Sequence, residues 1–305
     1  MNADLVCKGG GIKGIALAGA VCCFEEYGYK WKKVAGTSAG AMIASLIAVG
    51  YTGNEIKDIC MSLDYSIFND KSKLQSIPLI GQFASLLVTK GIYKGDTIEE
   101  FLYEKFKAKG KTKFKDISQD GESNLKVVAS DVTRKRLLIL PDDLVNYNID
   151  PMEFEISKAV RMSLSIPFYY DPVVIQDHDS SSFIVDGGLV SNFPIWIFDV
   201  EGSPRWPTFG LNLSNNDKGD TSTSDTNLVS YMFDVIETSL AQNEDVYIKD
   251  KDSVRIVNIP SLDVKTTDFN VSHDTIVALY QSGYDSAKEF LFKWNFQKYI
   301  SKFRT

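Results

Sequence analysis

GGGIKG at residues 9–14 and GTSAG at residues 36–40 are two glycine-rich turns, each between a short apolar run and an apolar segment of helical character. The second turn has the G-x-S-x-G spacing of a nucleophile elbow, a sharp strand-to-helix turn that holds a serine hydroxyl clear of the sheet. The first turn could supply backbone N–H groups to an oxyanion. One βαβ unit would therefore bring a nucleophile, Ser38, close to an anion-stabilising loop, as acyl transfer requires.

Strands and helices continue to alternate along the rest of the chain. Capping-box pairs, Thr52 with Glu55 and Asp96 with Glu99, predict helix starts near residues 53 and 97. This alternation indicates an α/β protein of three layers, with a central mostly parallel sheet flanked by helices. The pattern predicts strands at residues 4–8, 31–35, 125–129, 137–140, 183–185, 208–213 and 254–259, and further helices at 12–27, 39–49, 155–164, 228–242 and from about 274.

Two segments do not follow this alternation. Residues 65–91 are apolar but interrupted by proline and glycine, which is compatible with a lid or substrate channel and equally with a core insertion. Residues 214–227 consist almost wholly of Ser, Thr, Asn, Asp and Gly, which predicts a flexible surface loop. We expect a single domain over residues 1–305, with a motif-bearing core at about 4–200 and a part at about 201–305 that completes the sheet and helices.

Composition and charge exclude several classes of protein. The chain has 305 residues and a net charge of −7, which argues against a nucleic-acid partner because binding phosphates needs a basic surface. The start, MNAD, lacks the positive region of a signal peptide, and no apolar run reaches the roughly 20 residues of a transmembrane helix, so we expect a cytoplasmic protein. The cysteines have neither metal-site nor disulfide spacing and are predicted to be buried free thiols: Cys7, Cys22, Cys23 and Cys60.

The first glycine turn also matches the G-x-G-x-x-G fingerprint of dinucleotide-binding proteins. A Rossmann site needs an acidic residue at the end of the second strand to hold the ribose hydroxyls. The predicted second strand carries Lys32 and Lys33 and runs directly into the serine turn. A phosphate-binding P-loop does not fit either, because Ile15 follows Gly14 where a lysine is required. These residues disfavour a nicotinamide-dependent enzyme.

A serine nucleophile needs a base, and the candidates are two histidines and one aspartate. The order Ser38, Asp186, His273 is that of the α/β-hydrolase triad, but only two predicted strands precede this serine. His178 lies in a polar turn and His273 at a predicted helix start, which favours solvated or capping roles. Asp186 stands at a strand end before two glycines and is the better base, although Asp-Gly is also a common hairpin turn.

GGGIKG, GTSAG and DGG at residues 186–188 together resemble the motifs of the patatin-like phospholipases. AVRMSLSIP at residues 159–167 is similar to the fourth sequence block of that family, and GLVSNFP at residues 188–194 extends the match beyond the aspartate. The resemblance covers residues 4 to about 200 in order. Beyond residue 214 we find no motif of the family.

The resemblance implies a Ser-Asp dyad without histidine, in which Ser38 is the nucleophile and Asp186 the general base. It implies an oxyanion hole made by the N–H groups of Gly9, Gly10 and Gly11, with a contribution from Ala39. Lys13 takes the basic position of the glycine loop, where contact with a lipid phosphate and a structural role are both open. The remaining motif residues are Gly14, Gly36, Gly40, Gly187 and Gly188.

The function implied is that of a lipid acyl hydrolase of the phospholipase A or lysophospholipase type, with an acyl-serine intermediate and no metal or cofactor. Its substrate would be a membrane phospholipid or lysophospholipid. A regulatory lipid-binding protein with a weak or dormant site is the alternative. Residues 290–304 mix aromatic with basic side chains, which indicates either peripheral docking on an anionic membrane or core packing of a terminal helix.

Overall fold

The computed structural model describes residues 1–70, 90–177, 180–214, 250–262 and 264–303, with residues 235 and 238. The strands are β1 (Asn2–Cys7), β2 (Lys30–Thr37), β3 (Gly91–Tyr93), β4 (Ser118–Gln119), β5 (Glu122–Ser123), β6 (Leu125–Asp131), β7 (Arg136–Leu140), β8 (Phe168–Tyr170), β9 (Val173–Asp177), β10 (Ser180–Asp186), β11 (Thr208–Ser214) and β12 (Ile256–Pro260). The α-helices are α1 (Ile15–Glu26), α2 (Ala39–Val49), α3 (Gly53–Ser62), α4 (Asp96–Ala108), α5 (Ile156–Ser163), α6 (His273–Lys293) and α7 (Phe296–Phe303).

One 8-stranded sheet organises the molecule in the order β12-β11-β1-β2-β6-β10-β9, with β7 also paired to β6. The neighbours from β12 to β6 pair in parallel. Both β7 and β10 run antiparallel to β6, and β9 runs antiparallel to β10. The prediction of a mostly parallel sheet flanked by helices is therefore confirmed, with antiparallel strands added on the β6 side.

Helices α1 and α2, which follow the two glycine-rich turns, are apolar because they are buried over most of their length. Ten of the twelve residues of α1 and eight of the eleven residues of α2 are buried. One face of the sheet, which includes Leu5 and Cys7, belongs to the main core with these helices. On the other face, Val6 and Ala35 form a smaller cluster with Phe193 and Ile195. All four cysteines are buried and free, as predicted.

Helix α6, from the C-terminal part of the chain, packs backbone to backbone against α1 of the motif-bearing core. A Cβ atom on Gly19 would lie 2.0 Å from the Tyr280 carbonyl oxygen, and one on Gly283 would lie 1.7 Å from the Ala16 carbonyl oxygen. No side chain larger than hydrogen fits at either position without moving a helix. The two predicted parts of the chain therefore share one helix interface.

Several predicted boundaries need correction. The predicted helix at 12–27 is divided into a 3-10 turn at Gly11–Gly14 and the α-helix α1. Helix α3 begins at Gly53 with the predicted Thr52–Glu55 capping box. The predicted capping box at Asp96 is wrong, because α4 begins one residue earlier: Gly95, with φ of 77°, is the N-cap residue and its carbonyl accepts from the Glu99 N–H.

Other predictions fall largely on parts of the chain that the structure does not describe. Most of the predicted lid or insertion at 65–91 lies there, as do residues 215–227 of the predicted loop, nearly all of the predicted helix at 228–242, and His178. Within the described residues, no helix combines the length and apolarity needed to cross a membrane.

The aromatic side chains of the C-terminal segment largely pack against the protein. The Trp294 ring lies 5.0 Å from that of Phe209, and the buried Tyr299 hydroxyl accepts a hydrogen bond from the Thr208 N–H. Phe292 differs, since 87% of its surface is exposed. Core packing, the second of the two interpretations of this segment, accounts for most of its aromatic residues.

Candidate active site

Ser38 lies in a strained turn between β2 and α2. Its backbone angles, φ 53° and ψ −126°, belong to a region that residues other than glycine rarely occupy. The turn is tight on both sides: a Cβ on Gly40 would lie 2.2 Å from the Cys7 carbonyl oxygen, and one on Gly36 would lie 2.3 Å from Gly40. This is the geometry expected of a nucleophile elbow, with Ala39 starting a helix whose positive dipole end lies beside the serine.

The glycine loop supplies two candidate oxyanion donors. The Gly9 N–H donates to the Asn192 carbonyl at 3.1 Å, so the expectation that Gly9 contributes a donor needs correction. Gly10 and Gly11 precede the first hydrogen bond of the 3-10 turn, where backbone N–H groups have no partner within the helix. Gly11 has φ of 56°, and a Cβ there would lie 2.0 Å from the Thr266 carbonyl oxygen.

Asp186 is buried, with 2% of its surface exposed. Its Oδ1 accepts a hydrogen bond from the Gly188 N–H at 2.8 Å, whereas Oδ2 has no hydrogen-bond partner among the described residues. Burial raises the pKa of this carboxyl to about 6, and interactions with the Ser38 side chain and the Gly188 N–H partly oppose the rise. The serine is thus near enough to affect the carboxylate, but its hydroxyl does not yet make an aligned hydrogen bond to Oδ2.

Strand register explains why Ser38 and Asp186 meet. Thr37 pairs with Val128 of β6, and on the same edge of β6 Asp186 pairs with the next residue, Ala129, because β7 occupies the opposite edge at both positions. Gly9 and Gly36 lie at or near the carboxyl ends of the parallel strands β1 and β2, whereas β10 is antiparallel and brings Asp186 to the same place from the opposite direction.

The C-terminal turn of α5 contributes contacts that the sequence did not reveal. The Ser38 N–H donates to Ser163 Oγ at 2.8 Å, and the Asp186 N–H donates to the Ser165 carbonyl at 2.8 Å. Both serines lie in the AVRMSLSIP stretch. The stretch could be recognised as a family block, but no local pattern assigns its serines to partners more than twenty residues away.

The remaining predicted motif residues lie around the same edge. Gly14 faces Ala39, and Gly187 faces the Val128 carbonyl, at Cβ distances of 2.8 and 2.2 Å that would exclude larger side chains. Lys13 is half-buried in the 3-10 turn of the glycine loop. His273 is exposed at the start of α6, after the N-cap residue Ser272.

A narrow apolar cavity of about 30 Å³ lies beside Ser38. Apolar side chains from α1, α2, the α5 turn and the C-terminal part of the chain form its wall, and among the described residues no histidine lines it. Members of this wall are Ile15, Met42, Ile43, Leu164, Ile166 and Phe269. Phe269 comes from the region where the sequence showed no family motif.

Two other features lie apart from this site. A mixed-charge groove lined by Asp4, Lys33 and Arg205 among others includes none of the predicted site residues. Within the described ranges, no three side chains of His, Cys, Asp or Glu are grouped so that they could hold a metal ion.

Comparison with known sequences identifies a family and two informative relatives. The family model described as patatin-like phospholipase matches residues 5–199. The uncharacterized protein YqhO of Bacillus subtilis is 36% identical over 297 residues, which cover 97% of this chain and 100% of YqhO. The probable lipid hydrolase 463L of Invertebrate iridescent virus 6 is 26% identical over 194 residues, covering 63% of this chain and 61% of the viral protein.

Comparison with solved structures supports the same fold. VipD from Legionella pneumophila superposes with a TM-score of 0.57 at 18% identity, covering 95% of this chain and 66% of VipD. The complex of ExoU with SpcU from the type III secretion system of Pseudomonas aeruginosa matches with a TM-score of 0.53 at 15% identity, covering 98% of this chain and 52% of the matched chain. At these identities the likeness shows a shared architecture, over about two thirds and one half of the respective structures.

Proposed function

This chain belongs to the patatin-like phospholipase family, and from that premise we propose that it is a lipid acyl hydrolase with Ser38 as nucleophile and Asp186 as general base. The observation that carries the proposal is the Asp186 carboxylate. Its Oδ2 is buried without a hydrogen-bond partner in the described structure, and it belongs to a group whose pKa is raised to about 6 beside the serine. A carboxylate of raised pKa is a better proton acceptor than an ordinary aspartate and is still ionised at neutral pH.

Acylation follows from this geometry. Asp186 Oδ2 accepts the proton of the Ser38 hydroxyl while Oγ attacks the ester carbonyl carbon. The N–H groups of Gly10 and Gly11, with that of Ala39 at the start of α2, stabilise the negative charge on the carbonyl oxygen. Asp186 then returns the proton to the leaving alcohol, and the acyl group remains on Ser38.

Deacylation uses the same groups in reverse roles. A water molecule in the position of the departed alcohol gives a proton to Asp186 and attacks the acyl carbonyl. The tetrahedral oxyanion again meets the glycine N–H groups, and collapse of the intermediate returns the proton to Ser38 and releases a fatty acid. No group other than the dyad has to exchange a proton.

The apolar cavity supports a fatty-acyl substrate. Its wall is largely apolar, as in typical ligand pockets, and its space of about 30 Å³ would have to widen to admit an acyl chain. Since its wall includes Ser38, an acyl chain held there would place its ester carbon at the hydroxyl. We therefore propose a phospholipid or lysophospholipid substrate and cleavage of the phospholipase A or lysophospholipase type.

Fatty-acid release from vesicles tests the proposal. Wild type, Ser38→Ala, Asp186→Asn and His273→Ala would be compared on phosphatidylcholine and lysophosphatidylcholine in the presence of EDTA. The dyad variants should lose about a thousandfold or more in rate, while His273→Ala keeps the wild-type rate. Wild-type rates in both dyad variants would refute the dyad, and loss of activity in His273→Ala would restore the triad.

A further inference from the structure

The C-terminal turn of α5, residues 163–166, contacts both members of the proposed dyad but takes no part in the steps above. The Ser163 hydroxyl accepts a hydrogen bond from the Ser38 N–H at 2.8 Å and donates one to the Val128 carbonyl at 2.6 Å. Ser163 is fully buried. Its hydroxyl therefore joins the residue that follows β2 to the middle of β6, next to the position where Asp186 pairs.

We propose that Ser163 is a positioning residue, which holds Ser38 in its strained backbone conformation so that Oγ is directed at Asp186. This inference rests on the proposed function of Ser38. The turn at Ser38 has φ of 53°, and such a conformation persists only where surrounding contacts hold it. The Ser38 backbone makes such a contact directly, because its N–H donates a hydrogen bond to the Ser163 hydroxyl.

A hydroxyl is suited to this place because it accepts and donates at once. Alanine at position 163 would remove the hydrogen bonds that Ser163 makes to two buried polar groups, the Ser38 N–H and the Val128 carbonyl. The turn would then relax toward a conformation that satisfies its N–H elsewhere, and Oγ would move with it. The expected defect is in chemistry rather than in substrate binding, because Ser163 does not line the cavity.

The α5 turn is itself firmly held. The Arg161 guanidinium donates to the Ser165 hydroxyl and to the carbonyls of Lys94 and Asp171. A Cβ on Gly95 would lie 2.3 Å from Arg161 Nε, so the turn before α4 leaves room for the guanidinium. The Ser165 carbonyl accepts a hydrogen bond from the Asp186 N–H, so this turn supports both the nucleophile and the base.

The same helix contains a matched control. Ser157 is buried, with 1% of its surface exposed, and its hydroxyl has no hydrogen-bond partner among the described residues. Ser157→Ala removes a buried serine hydroxyl from α5 without breaking a bond to the site. A defect seen in Ser163→Ala but not in Ser157→Ala cannot then be a general effect of serine loss in this helix.

The test combines kinetics with amide hydrogen exchange. Ser163→Ala, Ser163→Cys, Ser157→Ala, Ser38→Ala and wild type would be assayed on a soluble fatty-acyl ester and for phosphonylation by a fluorophosphonate. Ser163→Ala should lose about 10- to 100-fold in kcat and in phosphonylation rate with KM within about twofold, because small misplacements of reacting groups have effects of this size. Ser163→Cys, which keeps the volume but bonds weakly, should lie between wild type and Ser163→Ala. The Ser38 amide should exchange faster in both variants and at the wild-type rate in Ser157→Ala.

Each outcome separates the two proposals. Equal kcat in folded Ser163→Ala and Ser157→Ala would overturn the positioning role, as would unchanged exchange at the Ser38 amide. If Ser163→Ala does not fold, Ser163→Cys is judged by the same criteria. If wild type shows no Ser38-dependent turnover, the proposed function fails, whereas the exchange of the Ser38 amide still decides whether Ser163 holds it.

Discussion

At the scale of single residues, the proposed proton transfer depends on one carboxylate oxygen, Oδ2 of Asp186. Burial raises the pKa of Asp186, and its Oδ1 already accepts a hydrogen bond from the Gly188 N–H. Only Oδ2 is left to accept the serine proton. The orientation of the carboxylate is therefore fixed by Gly188, the second glycine after it, which gives the DGG sequence a physical reason.

The raised pKa predicts how activity depends on pH. The base works only when ionised, so kcat/KM should rise with pH through a midpoint near 6, set by Asp186, and stay high above it. The ordinary pKa of an aspartate in water is 3.8. A rate profile between pH 4 and 9 on a soluble ester checks this, with protein stability followed at each pH. A rising limb centred near pH 4 would mean that Asp186 is solvated in the working enzyme.

Sequence identified the candidate residues of the site but not their supports. Ser38 and Asp186 were found because each stands in a short local motif. Ser163 could not be found in that way, since its bond to Ser38 joins residues 125 positions apart in the chain. For Gly9, the local motif predicts an oxyanion donor that the fold does not leave available. Its N–H donates to the carbonyl of Asn192, which only the folded chain brings near.

At the scale of elements, helix α2 serves both the elbow and the cavity. Its first residue follows Ser38, and Met42, one turn further, lines the cavity beside residues of α1. Met42 is only half-buried, so its replacement need not disrupt the core. This position can therefore be used to change the space available to an acyl chain.

Narrowing the cavity should change chain-length preference. Met42→Trp should lower kcat/KM for long-chain esters by about tenfold or more while short-chain esters keep near wild-type rates, because only long chains reach the wall. Met42→Ala should shift the ratio in the other direction. Activities on butyryl and palmitoyl esters measured side by side provide the check. Equal losses on both esters in Met42→Trp would argue that the chain binds elsewhere.

The sequence predicts helices and strands well where the hydrophobic periodicity is strong, but it does not predict the direction in which a strand runs in the sheet. The predicted helix at 39–49 matches α2, because small and aliphatic residues continue without a break until Gly50. Nothing in SSSFIVD shows that β10 runs antiparallel, since strand direction depends on which neighbour it pairs with. Helix α4 begins one residue earlier than predicted because Gly95 adopts a positive φ, which the capping-box pattern does not take into account.

At the scale of the whole molecule, the site and the C-terminal aromatic segment lie at opposite ends of the sheet. The groove formed by Trp294 and Phe296 includes Met1 and Asn2, at the start of β1. The glycine loop follows the other end of that strand, about 20 Å away for six extended residues. A membrane contact through this segment would therefore not by itself bring Ser38 to the bilayer.

The interface between α1 and α6 should control global stability. In an ordinary helix, Gly→Ala stabilises by about 1 kcal/mol. Gly283→Ala should instead destabilise, by about 1–3 kcal/mol, because its Cβ would meet the Ala16 carbonyl oxygen and force overpacking. Urea unfolding measures the sign, with Val277→Ala on the exposed side of α6 as control. A gain in stability for Gly283→Ala would show that the helices are less closely packed.

Capture of an acyl group on Ser38 is the most direct test of the central claim. A fatty-acyl nitrophenyl ester would be mixed with excess enzyme, the reaction quenched in acid, and the protein digested for mass spectrometry. We expect the added acyl mass on the peptide that contains Ser38, and no such mass in Ser38→Ala or Asp186→Asn. Acyl transfer to another residue, or turnover by Ser38→Ala at the wild-type rate, would contradict it.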